Sequence, residues 1–135
     1  MADPRTFLCS VVTPERAVLE ADATFAALPA WDGEVGILHG HSPLVTALGV
    51  GRLRVQEVSG DEHVFLISAG VAEMVDNRLT ILTERALAPD ELDRSEAKAA
   101  LEAALQKKPV GEAEVAEQDA VVQWARATLR LTAQS

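Results

Sequence analysis

The chain has 135 residues and a mass of 14.4 kDa, which fits one domain, or a domain of about 90 residues with a short appendage, at ~100–150 residues per domain. With 48% apolar residues, 24% charged residues and a mean hydropathy of +0.09, it carries enough apolar material for a core, which excludes disorder throughout. Twelve basic against 21 acidic residues give a formal charge of −9 and a pI near 4.7, which argues against nucleic-acid binding, since that requires phosphates to be neutralised by Lys and Arg.

Met1-Ala2-Asp3-Pro4-Arg5 leads into a strand-like stretch without a basic segment followed by an apolar one, and no run reaches ~18 apolar residues. The expectation is a soluble protein with no export signal or membrane span. Seven of the eight glycines lie in the first 70 residues, so turns crowd the front of the chain. Up to about Ala86, short runs rich in Val, Ile, Leu, Phe and Thr alternate with turn residues, the pattern of antiparallel β-structure. The predicted strands are Phe7–Val12, Ala17–Glu20, Ala23–Leu28, Gly36–Leu38, Leu44–Leu48, Gly51–Val58, His63–Ser68, Val71–Val75 and Arg78–Thr83. That many short strands in one run imply a β-sandwich. Arg52-Leu53-Arg54-Val55-Gln56 alternates and so describes a sheet with one wet face, whereas Val64-Phe65-Leu66-Ile67 is apolar throughout and belongs in the interior. Ser59-Gly60-Asp61-Glu62 marks a hairpin tip, and Asp76-Asn77 a second tight turn.

After Ala88-Pro89 the composition shifts to Ala, Leu, Glu, Lys and Gln, all strong helix formers. Asp90 or Asp93 is available to cap a first helix over about 91–106, and Lys107-Lys108 suits its C-terminal end. Pro109 and Gly111 interrupt it. A second helix over about 112–131 places its acids first (Glu112, Glu114, Glu117, Asp119) and its arginines last (Arg126, Arg130). The short connection implies an antiparallel hairpin. Its predicted seam is Ala97, Ala100, Leu101, Ala104 and Leu105 against Val115, Val122, Ala125 and Leu129. Alanine buries little area, so the packing is expected to be close but weakly stabilising.

Trp31-Asp32-Gly33-Glu34-Val35-Gly36-Ile37-Leu38-His39-Gly40-His41-Ser42-Pro43-Leu44 is the most distinctive stretch, a tightly specified loop that presents Glu34, His39 and His41. His39-x-His41 after Gly33 imitates a first cupin motif, but Val45 and Thr46 stand where a glutamate ligand belongs, and only His63 remains as a further histidine. No metal site is therefore predicted. Cys9, the one cysteine, cannot form an internal disulfide and sits in an apolar strand, where it reads as a small hydrophobe. No nucleophile elbow, Walker A or dinucleotide glycine motif occurs, so no residues are left to carry an enzymatic reaction. Arg126 and Arg130, one turn apart, share a helix face that suits a carboxylate or phosphate, or equally a helix C-terminus. Trp31 and Trp124 read as core or interface anchors.

Taken together, Val12-x-Pro14-Glu15-Arg16, Gly33-Glu34-x-Gly36-Ile37-Leu38-x-Gly40-His41-Ser42-Pro43-Leu44, Thr46-Ala47-Leu48, Gly51-x-Leu53-Arg54, Ser68-x-Gly70-x-x-Glu73-Met74, Asn77-Arg78-Leu79-Thr80-Ile81-Leu82-Thr83 and Leu92-Asp93 resemble the epsilon subunits of F-type ATP synthases over nearly the whole chain. The resemblance implies an α+β protein: an antiparallel β-sandwich of about ten strands over 1–87 and a two-helix regulatory domain over 88–135. It implies a non-catalytic rotor subunit of a bacterial proton-translocating enzyme, at the cytoplasmic face of the plasma membrane and attached only through the complex. Its sandwich would bind the gamma subunit and the c-ring, with Glu34 and His41 facing the ring. In an extended state its helices would reach the alpha and beta subunits, where Arg126 and Arg130, ahead of Lys107 or Lys108, would meet an acidic segment of beta and block hydrolysis. Some members bind ATP through Ile or Leu, Asp, two variable residues, Arg and Ala. The match here is Leu92-Asp93-Arg94-Ser95-Glu96-Ala97, with Glu96 in the arginine's place. A carboxylate repels a triphosphate, which leaves Leu92, Asp93, Ala97, Arg126 and Arg130 as the candidate nucleotide contacts, Arg94 as a substitute cation, and no cofactor required. The alternative reading is a free-standing β-sandwich binding module with a helical appendage.

Overall fold

A computed structural model of the protein describes residues 5–133. Among these, nine strands precede two helices: β1 (Phe7–Val12), β2 (Ala17–Ala30), β3 (Gly33–Ile37), β4 (Leu44–Leu48), β5 (Gly51–Glu57), β6 (Glu62–Ile67), β7 (Gly70–Val75), β8 (Arg78–Thr83), β9 (Ala86–Leu87), α1 (Arg94–Gln106) and α2 (Gly111–Thr132). The chain divides between Ala88 and Pro89 into two compact units.

In the first unit, residue type alternates with burial as a two-residue period demands. Along β1, Phe7, Cys9 and Val11 are buried, and Leu8, Ser10 and Val12 are half-exposed. The predicted break between Ala17–Glu20 and Ala23–Leu28 is absent, because Glu20 and Asp22 face solvent between buried Ala21 and Ala23. The acidic pair continues the alternation instead of ending the strand. The resulting 14-residue β2 is shared by both layers. Its first half pairs with β1, from Phe7↔Ala23 to Val12↔Ala17, and its second half pairs with β3 and β5 across an irregularity between Ala23 and Phe25. An extra residue at such a point bends and twists the strand, which lets one strand turn from one layer into the other.

The strand order is β1-β8-β7-β4-β2-β5-β6-β9, with β3 on β2 and β1 also on β2. All ladders are antiparallel except β1–β8, which runs parallel from Leu8↔Arg78 to Val12↔Leu82. That pair departs from the purely antiparallel expectation. Its strands are remote in sequence, so no hairpin dictates their direction. Phe7, Val11, Leu28, Ile37, Leu53, Ile67, Met74, Leu79 and Ile81 fill the interior and are almost fully buried, each contributing roughly 1.5–3 kcal/mol by its removal from water. At the start of β7, a Cβ on Gly70 would lie 2.0 Å from the Leu82 carbonyl oxygen. The β7–β8 ladder closes there only because the side chain is a hydrogen atom. The opposite end of that hairpin is a tight turn with Asp76 at φ 49 and Asn77 at φ 62. Positive φ at both central residues is the type I′ geometry that suits strand twist, and Asp and Asn tolerate it better than other side chains.

In the second unit, a 3-10 turn over Pro89–Glu91 precedes α1, so the helix begins three residues later than predicted. The Asp93 carboxylate accepts the Glu96 N–H at 3.0 Å and caps it. α2 opens with its Val110 N–H donating to the Glu114 carboxylate at 2.6 Å, the reach-back half of a capping box, since valine has no side-chain acceptor to return the bond. The seam is narrower than predicted. Ala97, Ala104 and Ala125 are buried and Leu101, Val122 and Leu129 half-buried, but Ala100, Leu105 and Val115 are exposed. On α1 a seam through positions 97, 101 and 104 leaves positions 100 and 105 on its flanks. On α2, Gln118 already stands against the carbonyls of Ala104 and Lys107, so Val115, a turn earlier, lies beyond the end of its partner.

Candidate functional sites

β3 and its connection to β4 carry the residues of the distinctive stretch. Glu34 is exposed on β3, opposite Pro29. After Ile37 the chain makes a reverse turn in which the His41 N–H donates to the Leu38 carbonyl at 3.2 Å. Gly40, at φ 71, occupies the third position, where a type II turn needs positive φ and therefore glycine. The Gly40 N–H donates to Asn77 Oδ1 at 2.8 Å, and Asn77 Nδ2 donates to the Thr6 carbonyl at 2.7 Å. His41 is half-buried, and its Nδ1–H donates to the Ser42 carbonyl at 2.7 Å. A carbonyl can only accept, so this bond fixes the tautomer and leaves Nε2 to meet a partner.

His39 is exposed in the same turn, and His63 and Cys9 lie elsewhere in the sandwich. His63 Nε2 contacts the Glu57 carboxylate at 2.6 Å, and its ring stacks on Phe65 at a centroid distance of 6.5 Å. Among the described residues no group of three His, Cys, Asp or Glu gathers as metal ligands would. Cys9 is fully buried, and desolvation pushes its thiol up to about 12, the opposite of an activated nucleophile.

One feature of the sandwich is not apparent from the sequence alone. The β1, β8, β7 and β4 ladders place Val12, Leu82, Val71 and Ala47 side by side in register. This row lies on the face opposite the core. Leu82 is 52% exposed and Val71 44%, with Val45 beside them at 69%. The signal lies in the phase of the alternation: in β7 the buried residues are Ala72 and Met74, so Val71 and Val75 stand with Glu73 on the wet face. Exposed apolar side chains grouped in this way, and not scattered singly, make the row a candidate contact surface. Trp31, 71% exposed, is not a core residue, while Trp124 is half-buried.

In the hairpin, Arg126 and Arg130 are exposed one turn apart near the end of α2. Arg94 does not join them as a free cation: its guanidinium donates to the Leu129 carbonyl at 2.8 Å and to Thr132 Oγ1 at 3.2 Å. Gln118 makes the matching tie at the other end of the hairpin. Of the motif at the start of α1, Asp93 serves as helix cap, Ala97 lies in the seam and Leu92 is half-buried. A groove of about 560 Å³ lies at the loop end, lined by Lys107, Lys108, Glu114 and Glu117 among others, away from that motif.

Residues 6–89 match the model of the beta-sandwich domain of the ATP synthase delta/epsilon chain. The ATP synthase epsilon chain of Rhodopirellula baltica is 43% identical over 122 residues, 90% of this chain and 94% of that protein. The ATP synthase epsilon chain of Syntrophomonas wolfei is 38% identical over 128 residues, 95% and 93% of the two chains. A chain of the Euglena gracilis mitochondrial ATP synthase, in a structure of its OSCP, F1 and c-ring, superposes with a TM-score of 0.82 at 24% identity, over 94% of this chain and 81% of that one. A chain from the central stalk and c-ring of the Tetrahymena thermophila mitochondrial enzyme gives a TM-score of 0.67 at 17% identity, over 93% and 95%. At these identities the two structures speak for the fold.

Proposed function

The chain belongs to the ATP synthase epsilon-chain family, and from that premise we propose that it is a non-catalytic rotor subunit in the central stalk of a proton-translocating F-type ATP synthase. The sandwich joins the gamma subunit and rests on the c-ring, so that rotation driven at the membrane reaches the alpha and beta head. The observation that carries this reading is the apolar row Val12, Leu82, Val71 and Ala47. It lies across four strands of a rigid layer, and nothing in the sandwich covers it. A surface built on paired strands transmits force without yielding, whereas a mobile loop would absorb it. Glu34 and His41 supply the polar contact with the ring. No helix among the described residues is long and apolar enough to cross a membrane. In the proposed reading the chain attaches peripherally, through the complex, at the cytoplasmic face of a bacterial plasma membrane. Coexpression with gamma followed by gel filtration tests the reading. A stable co-eluting complex is expected, and two separate peaks would return the protein to the class of free-standing sandwich modules.

The hairpin has the regulatory part. Arg126 and Arg130 are exposed and so remain available to an acidic segment of the beta subunit, while the acids at the start of α2 keep that segment to its far half. Charge reversal at both arginines is expected to relieve inhibition of ATP hydrolysis in the reconstituted enzyme, and unchanged rates would contradict it. No cofactor enters this reading. The commitment of Asp93 to a helix cap and of Arg94 to the Leu129 carbonyl supports the absence of a regulatory ATP site. Titration with ATP to millimolar concentration is expected to leave Trp124 fluorescence flat, and a saturable change would overturn that part.

A further inference from the structure

We infer that Asn77 is a positioning residue, which holds the loop from Leu38 to Pro43 in its working shape by tying Gly40 to the first strand; the inference rests on the preceding reading, in which this loop bears on a partner. The loop has little of its own to order it. Leu38, His39, Gly40, Ser42 and Pro43 are exposed, so apolar burial contributes almost nothing, and such segments take their stability from a few polar bonds. Within the turn, the His41 N–H is used by the Leu38 carbonyl. The Gly40 N–H has no role in a type II turn and projects outward. Asn77 Oδ1 receives it.

The other half of the same amide makes the tie useful. Asn77 Nδ2 donates to the carbonyl of Thr6, a buried residue immediately before β1, and the Asn77 carbonyl accepts the Leu8 N–H at 3.2 Å. One side chain thus joins three segments separated by 37 and 71 residues of sequence. The two partners also fix which way the amide points, since a carbonyl can only accept and an N–H can only donate. No other side chain meets every demand. Position 77 has φ 62, which favours Gly, Asn or Asp. Glycine has no side chain to reach Gly40, and aspartate would turn a carboxylate oxygen toward the Thr6 carbonyl. Asn77 acts on the partner surface through Gly40: with that N–H held, the backbone of His41, the next residue, and its free Nε2 are aimed.

The test uses two variants of the full-length chain. Asn77→Gly preserves positive φ, and Asp-Gly is itself a favoured type I′ pair, so the sandwich stands while the tie is removed. Asn77→Asp keeps the acceptor for Gly40 and removes the donor to Thr6. Hydrogen exchange of the Gly40 amide is expected to quicken about five- to tenfold in Asn77→Gly, the scale of one hydrogen bond, and less in Asn77→Asp, with core amides such as those of Leu53 and Ile81 unchanged. In the reconstituted complex, proton pumping per ATP hydrolysed is expected to fall in Asn77→Gly and to recover in part in Asn77→Asp, while association with gamma is unaltered. Unchanged Gly40 exchange overturns the inference, and so does faster exchange with undiminished coupling. A wild-type chain that fails to join gamma is a different result: it contradicts the rotor reading, and Gly40 exchange still decides whether the tie exists.

Discussion

The sandwich and the hairpin are stabilised by different means. The sandwich encloses Phe7, Leu28, Ile37, Leu53, Ile67 and Met74, large side chains brought together from strands far apart in sequence. The hairpin seam buries Ala97, Ala104 and Ala125 and is tied at its two ends by Arg94 and Gln118. A core of large aliphatic groups gives a stiff body, because any opening exposes much apolar area at once. An alanine seam with polar ties is close-packed yet easily parted. The difference suits the roles proposed for them, a body that carries force and a hairpin that changes its contacts.

The largest expected effect lies in the sandwich. Leu53→Ala leaves a cavity in the sandwich and is expected to cost about 2–5 kcal/mol, while Asp93→Ala removes one cap and costs only about 1 kcal/mol, confined to the hairpin. Thermal unfolding followed by circular dichroism checks the pair, and equal losses would show that the two units are held alike. A smaller effect sharpens the same contrast through Cys9. The folded protein keeps the thiol protonated up to about 12, whereas an unfolded thiol ionises near its ordinary value of 9.0. Unfolding therefore releases a proton above pH 9, and stability falls as pH rises from there toward 12. The expected loss is about 1.4 kcal/mol by pH 10, and it disappears in Cys9→Ala. Denaturant titrations at pH 8 and pH 10 measure it.

Much of the fold was legible because the relevant physics is local. The alternation in Arg52-Leu53-Arg54-Val55-Gln56 placed Leu53 and Val55 inward, Asp76-Asn77 announced its turn, and of the two caps on offer, Asp90 and Asp93, the structure uses Asp93. What escaped is contributed by partners distant in sequence. The parallel β1–β8 ladder joins strands that no short turn connects. Glu20 and Asp22 read as a break until β1 supplies the ladder that runs through them. Asn77 is visible locally as a turn residue, but its bonds to Gly40 and Thr6 exist only in the assembled sandwich. The apolar row was hidden for the same reason: Val12, Leu82, Val71 and Ala47 are neighbours only across ladders. In the hairpin, helical period identified the right faces, and the register set by Gln118 decided how much of each was covered.

If the chain is the proposed rotor subunit, this exposed row is the surface we propose for gamma, and calorimetric titration of the purified chain into gamma measures that contact. Wild-type protein should bind saturably, and Leu82→Glu, which sets a charge in the middle of the row without touching the core, should weaken binding by about a hundredfold or more, the scale expected for a residue at the centre of an interface. Undiminished affinity in Leu82→Glu, or no binding by the wild-type chain, would contradict the account.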